Sequence, residues 1–343
     1  MRNALLFIVT LFGATLCFGA EVYPNKPVRV VVGFSPGGFA DLVARLISPQ
    51  LGEQLGEPFV VDNRTGAAGT IATAIVAKSA PDGYTLLLAE PGLTINAALH
   101  KSLSYDVAKD FTRIVQIARV TDVLVVPPSL KVNTIKEFIA LAQANPGKLN
   151  YGSGGTGSTL HLYAELFNRA AKVNTTHVPY KGAAGTVTAL LGGQIQMSFA
   201  AIPSVLQHVN SGRLRALAVT TDGTRSPLMP DVPSMSEAGI AGMTIYGWEG
   251  FIGPAGLPKG VVNKLHSEVL KAMAVPSVKE RLSQLAPNWW AAARKNFQPT
   301  YAANFSAGPR SSRRRVLRSN KHFVASHQEA KNRASCFDFC TPD

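Results

Sequence analysis

The run Val28-Arg29-Val30-Val31-Val32 passes through Gly33 into Phe34-Ser35-Pro36-Gly37-Gly38-Phe39-Ala40-Asp41, and this passage decides the fold. A short valine-rich run reads as a strand covered on both faces. The paired glycines that follow permit a tight turn. Leu42, Leu46 and Leu55 then mark an apolar face of helical period over 39–56. Strand, glycine turn and helix in that order are the grammar of a parallel α/β layer.

The same grammar recurs along the chain. Phe59-Val60-Val61 leads into Asn63-Arg64-Thr65-Gly66-Ala67-Ala68-Gly69-Thr70. Leu149-Asn150 leads into Tyr151-Gly152-Ser153-Gly154-Gly155-Thr156-Gly157-Ser158-Thr159. Strands are expected at 28–33, 59–62, 84–89, 122–127, 148–151, 176–179, 195–200 and 214–220, with helices between them. Thr134 and Glu137 form a capping box ahead of Phe138, Ile139 and Leu141, and Asn145-Pro146-Gly147 stops that helix. Each glycine turn opens a helix whose first N–H groups lie at the positive end of its dipole, a potential anion cradle. Three such turns with no nucleophile constellation beside them point to a site that holds a small anionic molecule.

Residues 1–20 read as a secretory signal peptide: Arg2, the apolar stretch Leu5 to Phe12, then Cys17-Phe18-Gly19-Ala20 as a small-residue cleavage region. That apolar stretch is shorter than the roughly 20 residues a membrane span needs. The other two cysteines, Cys336 and Cys340, lie near the C-terminus, so no disulfide framework is expected. The net charge of +13 is uneven. Residues 288–343 hold ten Lys/Arg and three acids, and 10 − 3 gives +7, which leaves 13 − 7 = +6 for the rest. The body carries no basic stripe with interleaved aromatics, which argues against nucleic acid as a partner.

In family order, the chain carries Gly37-Gly38 with Asp41 and Arg45; Asn63-Arg64 with Gly66-Ala67 and Gly69; Pro81-Asp82-Gly83-Tyr84; Tyr151-Gly152-Ser153 through Ser158 with His161-Leu162; and His177-Val178-Pro179-Tyr180-Lys181-Gly182. Leu191-Gly192-Gly193-Gln194, Val232-Pro233-Ser234 with Glu237-Ala238-Gly239, and Gly250-Phe251 with Pro254-Ala255-Gly256 follow. This ordered set, from about Tyr23 to Leu285, resembles the substrate-binding family of tripartite tricarboxylate transporters, also called Bug receptors. The resemblance implies a two-domain periplasmic-binding-protein clamshell of type II-like α/β architecture, with mixed, mostly parallel sheets. It implies domain one over 21–120 and 223–286 and domain two over 121–222, with crossings near 119–123 and 220–225. It also implies a periplasmic monomer that captures a small organic carboxylate in the cleft and passes it to membrane permease subunits, with no cofactor, no metal and no enzymatic activity.

The residues implied for the cleft are Ser35, Gly37, Gly38 and Asp41 in the first loop and Asn63, Gly66 and Ala67 in the second. Domain two adds Ser153, Thr156, Gly157 and Ser158, then Lys181, Gly182, Ala183 and Ala184. Gly37 and Gly38 would allow close approach to the ligand. Asp41 would repel a carboxylate, so it is expected to cap the helix or orient water. Ser158 is read equally as ligand donor and as helix N-cap. His161 and His177 are read as structural, since neither has a partner at metal-ligand spacing. Ala40 and Gly185 depart from the family pattern, where Thr and Pro are common.

Two other functions remain open. A sensor adaptor would use the same fold. A serine hydrolase would pair Ser153 or Ser158 with His161 or His177, but neither serine sits in a Gly-x-Ser-x-Gly elbow. Beyond Leu285 the strand–helix grammar ends and a basic segment, 287–343, takes over. In a neighbouring reading frame, the codons for Ala286 to Asn296 can encode a string that resembles the family's acidic continuation. Residues 287–343 are therefore read as a frameshifted tail, with a natural basic extension as the alternative.

Overall fold

The computed structural model describes residues 23–286, apart from 101 and 222. The expected signal peptide and the basic segment 287–343 lie outside the described residues. Strands β1 (Val28–Val32), β2 (Phe59–Asn63) and β3 (Thr85–Ala89) form a parallel set with β1 in the middle. Strands β5 (Asn150–Ser153), β6 (Thr176–Pro179) and β7 (Met197–Ala201) form a second parallel set with β5 in the middle.

Two long strands join the sets. In β4 (Phe111–Val126), Phe111–Thr121 pairs antiparallel with β9 (Tyr246–Pro254), and Asp122–Val126 pairs antiparallel with β7 and β8 (Arg215–Val219). Strand β9 also pairs antiparallel with β3, so the order is β2-β1-β3-β9-β4-β7-β5-β6 with β8 beside β4. Register shifts between Arg113 and Val115 and between Gln116 and Ala118 mark bulges that bend β4 between the lobes.

Each lobe buries its own core. In lobe one, Val28, Val30 and Val32 pack under Val43, Ile47 and Leu51 of α1 (Phe39–Leu55). After β9 the chain returns to this core through α8 (Lys259–Ala274) and α9 (Pro276–Leu285), which add Leu265, Val269, Leu282 and Leu285. Lobe two has apolar clusters on both sheet faces. One holds Phe138, Tyr151, Tyr163, Phe167 and Phe199, the other Val123, Leu190, Val205 and Leu214. Met229 packs in the second cluster, and Met235, Ile240, Met243 and Ile245 in the first. The return crossing therefore falls at Ile245–Tyr246 and not at 220–225, because segment 223–245 hides its apolar side chains in lobe two.

The remaining helices are α2 (Thr70–Ala77), α3 (Gly92–Leu99), α4 (Ile135–Ala144), α5 (Thr159–Ala171), α6 (Ala183–Leu191) and α7 (Ile202–Asn210). The predicted N-cap forms, with Thr134 Oγ1 accepting the Glu137 N–H at 3.1 Å, while the Glu137 carboxylate reaches one residue beyond the cap and accepts the Asn133 N–H at 2.8 Å. Among the described residues, no helix is long and apolar enough to cross a membrane.

Candidate functional site: the cleft between the lobes

In a parallel set the strand-to-helix loops all leave from the carboxyl ends of the strands, where open α/β sheets bind ligands. Here β1 to α1 and β2 to α2 supply two loops from lobe one, and β5 to α5 and β6 to α6 supply two from lobe two. The four meet. A Cβ placed on Gly182 would collide with Ser35 Oγ and lie 3.0 Å from Ser35 N. One on Gly37 would lie 4.0 Å from Ala184 Cβ, one on Gly154 3.6 Å from Phe34, and one on Gly155 3.6 Å from Ala68 N. Thr159 Oγ1 donates to Glu90 Oε2 at 2.5 Å across the same boundary.

Three of the helices that start at this cleft have glycine N-caps: Gly38 for α1, Gly69 for α2 and Gly182 for α6. None of these caps is closed by a side-chain hydrogen bond among the described residues. The first-turn N–H groups of α1 and α6 are left to whatever enters the cleft, whereas the Thr70 N–H at the start of α2 already donates to Ala67 O. Helix α5 differs, because Ser158 Oγ accepts the His161 N–H at 3.3 Å and closes that end. At the centre, Ser35 Oγ is buried and has no hydrogen-bond partner among the described residues. A buried hydroxyl without a partner costs on the order of 1–3 kcal/mol, which a bound acceptor would recover.

The sequence-predicted residues divide into groups. Ser35, Gly37, Gly182 and Ala184 come together at the lobe boundary. Gly157 lies there too, where a Cβ would sit 2.6 Å from Asn96 Oδ1. Ala183 is half-buried at the start of α6. Gly38 differs from expectation: its φ of −76° suits any residue, and a Cβ would meet its own loop at 3.6 Å from Ser35 O. Gly66 has φ of +127°, and a Cβ there would meet Ile71 within its own lobe. Ala67 is exposed, and its buried neighbour Ala68 faces Gly155 instead. Thr156 and Lys181 are exposed.

Asp41 and Asn63 face the loop rather than the cleft. Asp41 accepts from Gly37 N, from Arg45 Nε with both oxygens, and from Asn63 Nδ2, all at 3.0 Å. Asn63 Nδ2 also donates to Phe34 O at 3.0 Å, and Asn63 Oδ1 accepts from Arg45 at 3.0 Å. Burial pushes the Asp41 carboxyl up, but the bonds from Arg45, Gly37 and Asn63 outweigh it and hold it below its usual range. The network ties the first loop to β2 and α1 and so sets where Ser35 sits.

Sequence reasoning missed Phe34, Ala68, Glu90, Asn96 and Thr159. Glu90 follows the last residue of β3, and its position at a parallel strand's carboxyl end was the available signal. Asp122 at the crossing of β4 and Glu249 in β9 are almost fully buried. Burial first, and then repulsion from Glu90, raises both: Asp122 to about 7 and Glu249 well above the carboxylate range. Burial also raises Glu90, against its hydrogen bonds from Thr159 and Gly92.

Of the hydrolase pairings, the structure joins one: Ser153 Oγ lies 2.6 Å from His177 Nε2. Ser153 is fully buried, and its hydroxyl is engaged with Gly155 and His177. Ser158 is occupied as the α5 cap.

Two lobes bridged by long strands, with facing glycine loops and uncapped helix starts between them, define a solute-binding clamshell. Residues 43–304 match the family described as the tripartite tricarboxylate transporter family receptor, and the chain belongs to that family. The match starts and ends later than the resemblance read from Tyr23 to Leu285. The chain is 38% identical over 266 residues to a UPF0065 protein in the tcbD-tcbE intergenic region of Pseudomonas sp. (strain P51), covering 77% of this chain and 79% of that one. It is 38% identical over 280 residues to protein BugT of Bordetella pertussis, covering 79% and 86%. Among solved structures, periplasmic binding protein BugD superposes with a TM-score of 0.74 at 36% identity, covering 77% of this chain and 88% of that one. The R. palustris protein Rpa4515 with adipate gives 0.74 at 37%, with coverage of 77% and 88%. MatC of Rhodopseudomonas palustris with bound malate gives 0.74 at 33%, with coverage of 77% and 90%. The family is one of transporter receptors, and this chain is a receptor rather than an enzyme.

Proposed function

We propose that this protein is an extracytoplasmic receptor that captures a small organic carboxylate between its lobes and delivers it to the permease subunits of a tripartite tricarboxylate-type transporter. Residues 1–20 would direct it to the periplasm. The observation that carries the reading is the meeting of two uncapped helix starts, α1 and α6, at the unpartnered hydroxyl of Ser35. Helix starts hold anions through backbone N–H groups and the dipole, and a hydroxyl donates a charge-assisted bond to a carboxylate.

In this reading Ser35, Gly37, Gly182, Ala183 and Ala184 receive the carboxylate. Asp41 and Asn63 position the first loop, and Ser153 and Ser158 position the third. Adipate and malate in two similar structures support a carboxylate as ligand. Glycines at the contact let the lobes close over the anion and exclude water, so receptor shape reports occupancy.

The test is a thermal-shift panel of organic acids that includes adipate and malate, followed by calorimetry. A ligand that binds the native state alone raises the melting temperature in a concentration-dependent way. A panel in which no carboxylate shifts the transition at millimolar concentration would overturn the reading.

A further inference from the structure

Behind the 153–158 loop stands a stack of three rings. His161 of α5 and His177 of β6 have ring centroids 4.2 Å apart, and the Tyr151 ring of β5 lies 4.9 Å from His177 and 6.2 Å from His161. Each imidazole turns one nitrogen to the loop. His161 Nδ1 accepts the Gly157 N–H at 3.2 Å. His177 Nε2 lies 2.6 Å from Ser153 Oγ, which itself accepts the Gly155 N–H at 3.1 Å. The Ser153 hydroxyl has one proton and two acceptors in reach, His177 Nε2 at 2.6 Å and Gly155 O at 3.1 Å. With the proton directed along the shorter contact, His177 Nε2 is the acceptor and Gly155 O is left to other donors. His161 then carries its proton on Nε2 and His177 carries its own on Nδ1, so both rings present lone pairs to donors of the loop.

We propose that His161 and His177 are positioning residues of the cleft: as neutral acceptors they hold loop 153–158 in the shape that meets lobe one, and protonation of the stacked pair, which sets His161 against the Gly157 N–H donor to donor, releases it and the ligand. The proposal rests on the reading of this cleft as a carboxylate site. Gly154 and Gly155, which stand against Phe34 and Ala68, lie between the two anchored points Ser153 and Gly157. A protonated His161 would turn an N–H toward the Gly157 N–H, donor against donor. A second charge on the stacked ring would add repulsion at close range.

The titratable groups around the pair are few. Glu165 of α5 accepts from Tyr151 OH at 2.5 Å and favours the charged form of His161. His100, at the end of α3, faces the Gly157 position from lobe one. Burial outweighs Glu165 at His161 and lowers it, while burial and then His161 push His177 down to about 4. The pair is therefore neutral at ordinary pH, and release belongs to strongly acid conditions.

The test uses the full-length protein, adipate and malate as probes, and four variants. His161→Asn and His177→Gln place an amide oxygen near the imidazole acceptor without a titrating group. His161→Phe and His177→Phe keep the stack and remove the acceptor. Affinity of the wild type should fall about tenfold or more between pH of about 7 and about 4, and the Phe variants should lose about tenfold at both. The amide variants should restore binding and flatten the profile, which a merely structural role would not produce. Equal affinity at both pH values together with normal binding by the Phe variants would overturn the proposal. Side-chain nitrogen NMR of the ligand-free protein decides the same point whether or not either probe binds. His161 protonated on Nε2 and His177 on Nδ1 near neutrality support the proposal, and either opposite tautomer overturns it.

Discussion

Thr159 Oγ1 and Glu90 Oε2 lie 2.5 Å apart and belong to different lobes, the threonine opening α5 and the glutamate following the last residue of β3. The bond ties the two lobes together across the cleft. Thr159→Val removes the donor and keeps the volume. Ligand affinity should fall about fivefold, near the net value of one hydrogen bond, while each lobe keeps its fold. Calorimetry beside circular dichroism reads both quantities, and unchanged affinity would show that closure does not use this contact.

Gly182 gives a steric test of the same closure. Its φ of +149° is strained for any other residue, and an added Cβ would strike Ser35 Oγ in the facing lobe. Gly182→Ala should weaken carboxylate binding at least tenfold and leave the lobes folded. Gly38→Ala is the control, because its extended φ and the 3.6 Å space around its Cβ position tolerate a methyl group. Similar affinities for the two variants would remove Gly182 from the closing contact.

Asp41 should act through the loop it holds. Asp41→Ala deletes bonds from Gly37, Arg45 and Asn63, and an expected loss of about 2 kcal/mol follows for charge-assisted hydrogen bonds. The native carboxyl titrates below its unfolded value, so its contribution is present above pH of about 4 and disappears as pH falls through the folded value. Denaturant melts of wild type and variant should therefore converge toward acid pH.

Asp122 has the opposite sign. Its folded pKa is raised to about 7, so between about 4 and 7 the native state binds more protons than the unfolded chain, and stability falls as pH rises. Asp122→Asn removes that loss. The variant should gain on the wild type across this range, by more than about 1 kcal/mol once above it. Glu249→Gln should behave alike, because burial and the same neighbours raise that carboxyl too. Parallel stability–pH curves for variant and wild type would contradict the buried neutral state.

Ser158→Ala separates capping from ligand contact. Loss of the bond to the His161 N–H should cost about 1 kcal/mol of stability. Carboxylate affinity should change little, and a large affinity loss without a stability change would return Ser158 to the cleft as a donor.

Local chemistry made much of this protein readable in its sequence. The eight expected strands all fall on observed ones, and the signal is strongest where a β-branched run is buried on both faces, as in Val28–Val32. Tyr246–Pro254 left none. With Gly247, Glu249, Gly250 and Gly253 it looks like a loop, and it becomes a strand because β3 and β4 flank it on both sides. The Phe111–Thr121 half of β4 was missed for the same reason, and with it went the place where the chain returns to lobe one.

What the sequence determined alone was the set of loops able to receive an anion, because glycine turns and helix starts follow from a few adjacent residues. Which members of those loops face the cleft was decided only by tertiary structure. Among the described residues Ser35 Oγ has no partner and Gly182 of the other lobe lies against it, while Asp41 and Asn63, equally prominent in the same motifs, bond to each other and to Arg45. The Glu90–Thr159 bond and the His161–His177 stack join residues distant in sequence or brought together by separate strands and helices. Such contacts depend on how the sheets place those elements, and no local pattern encodes that placement.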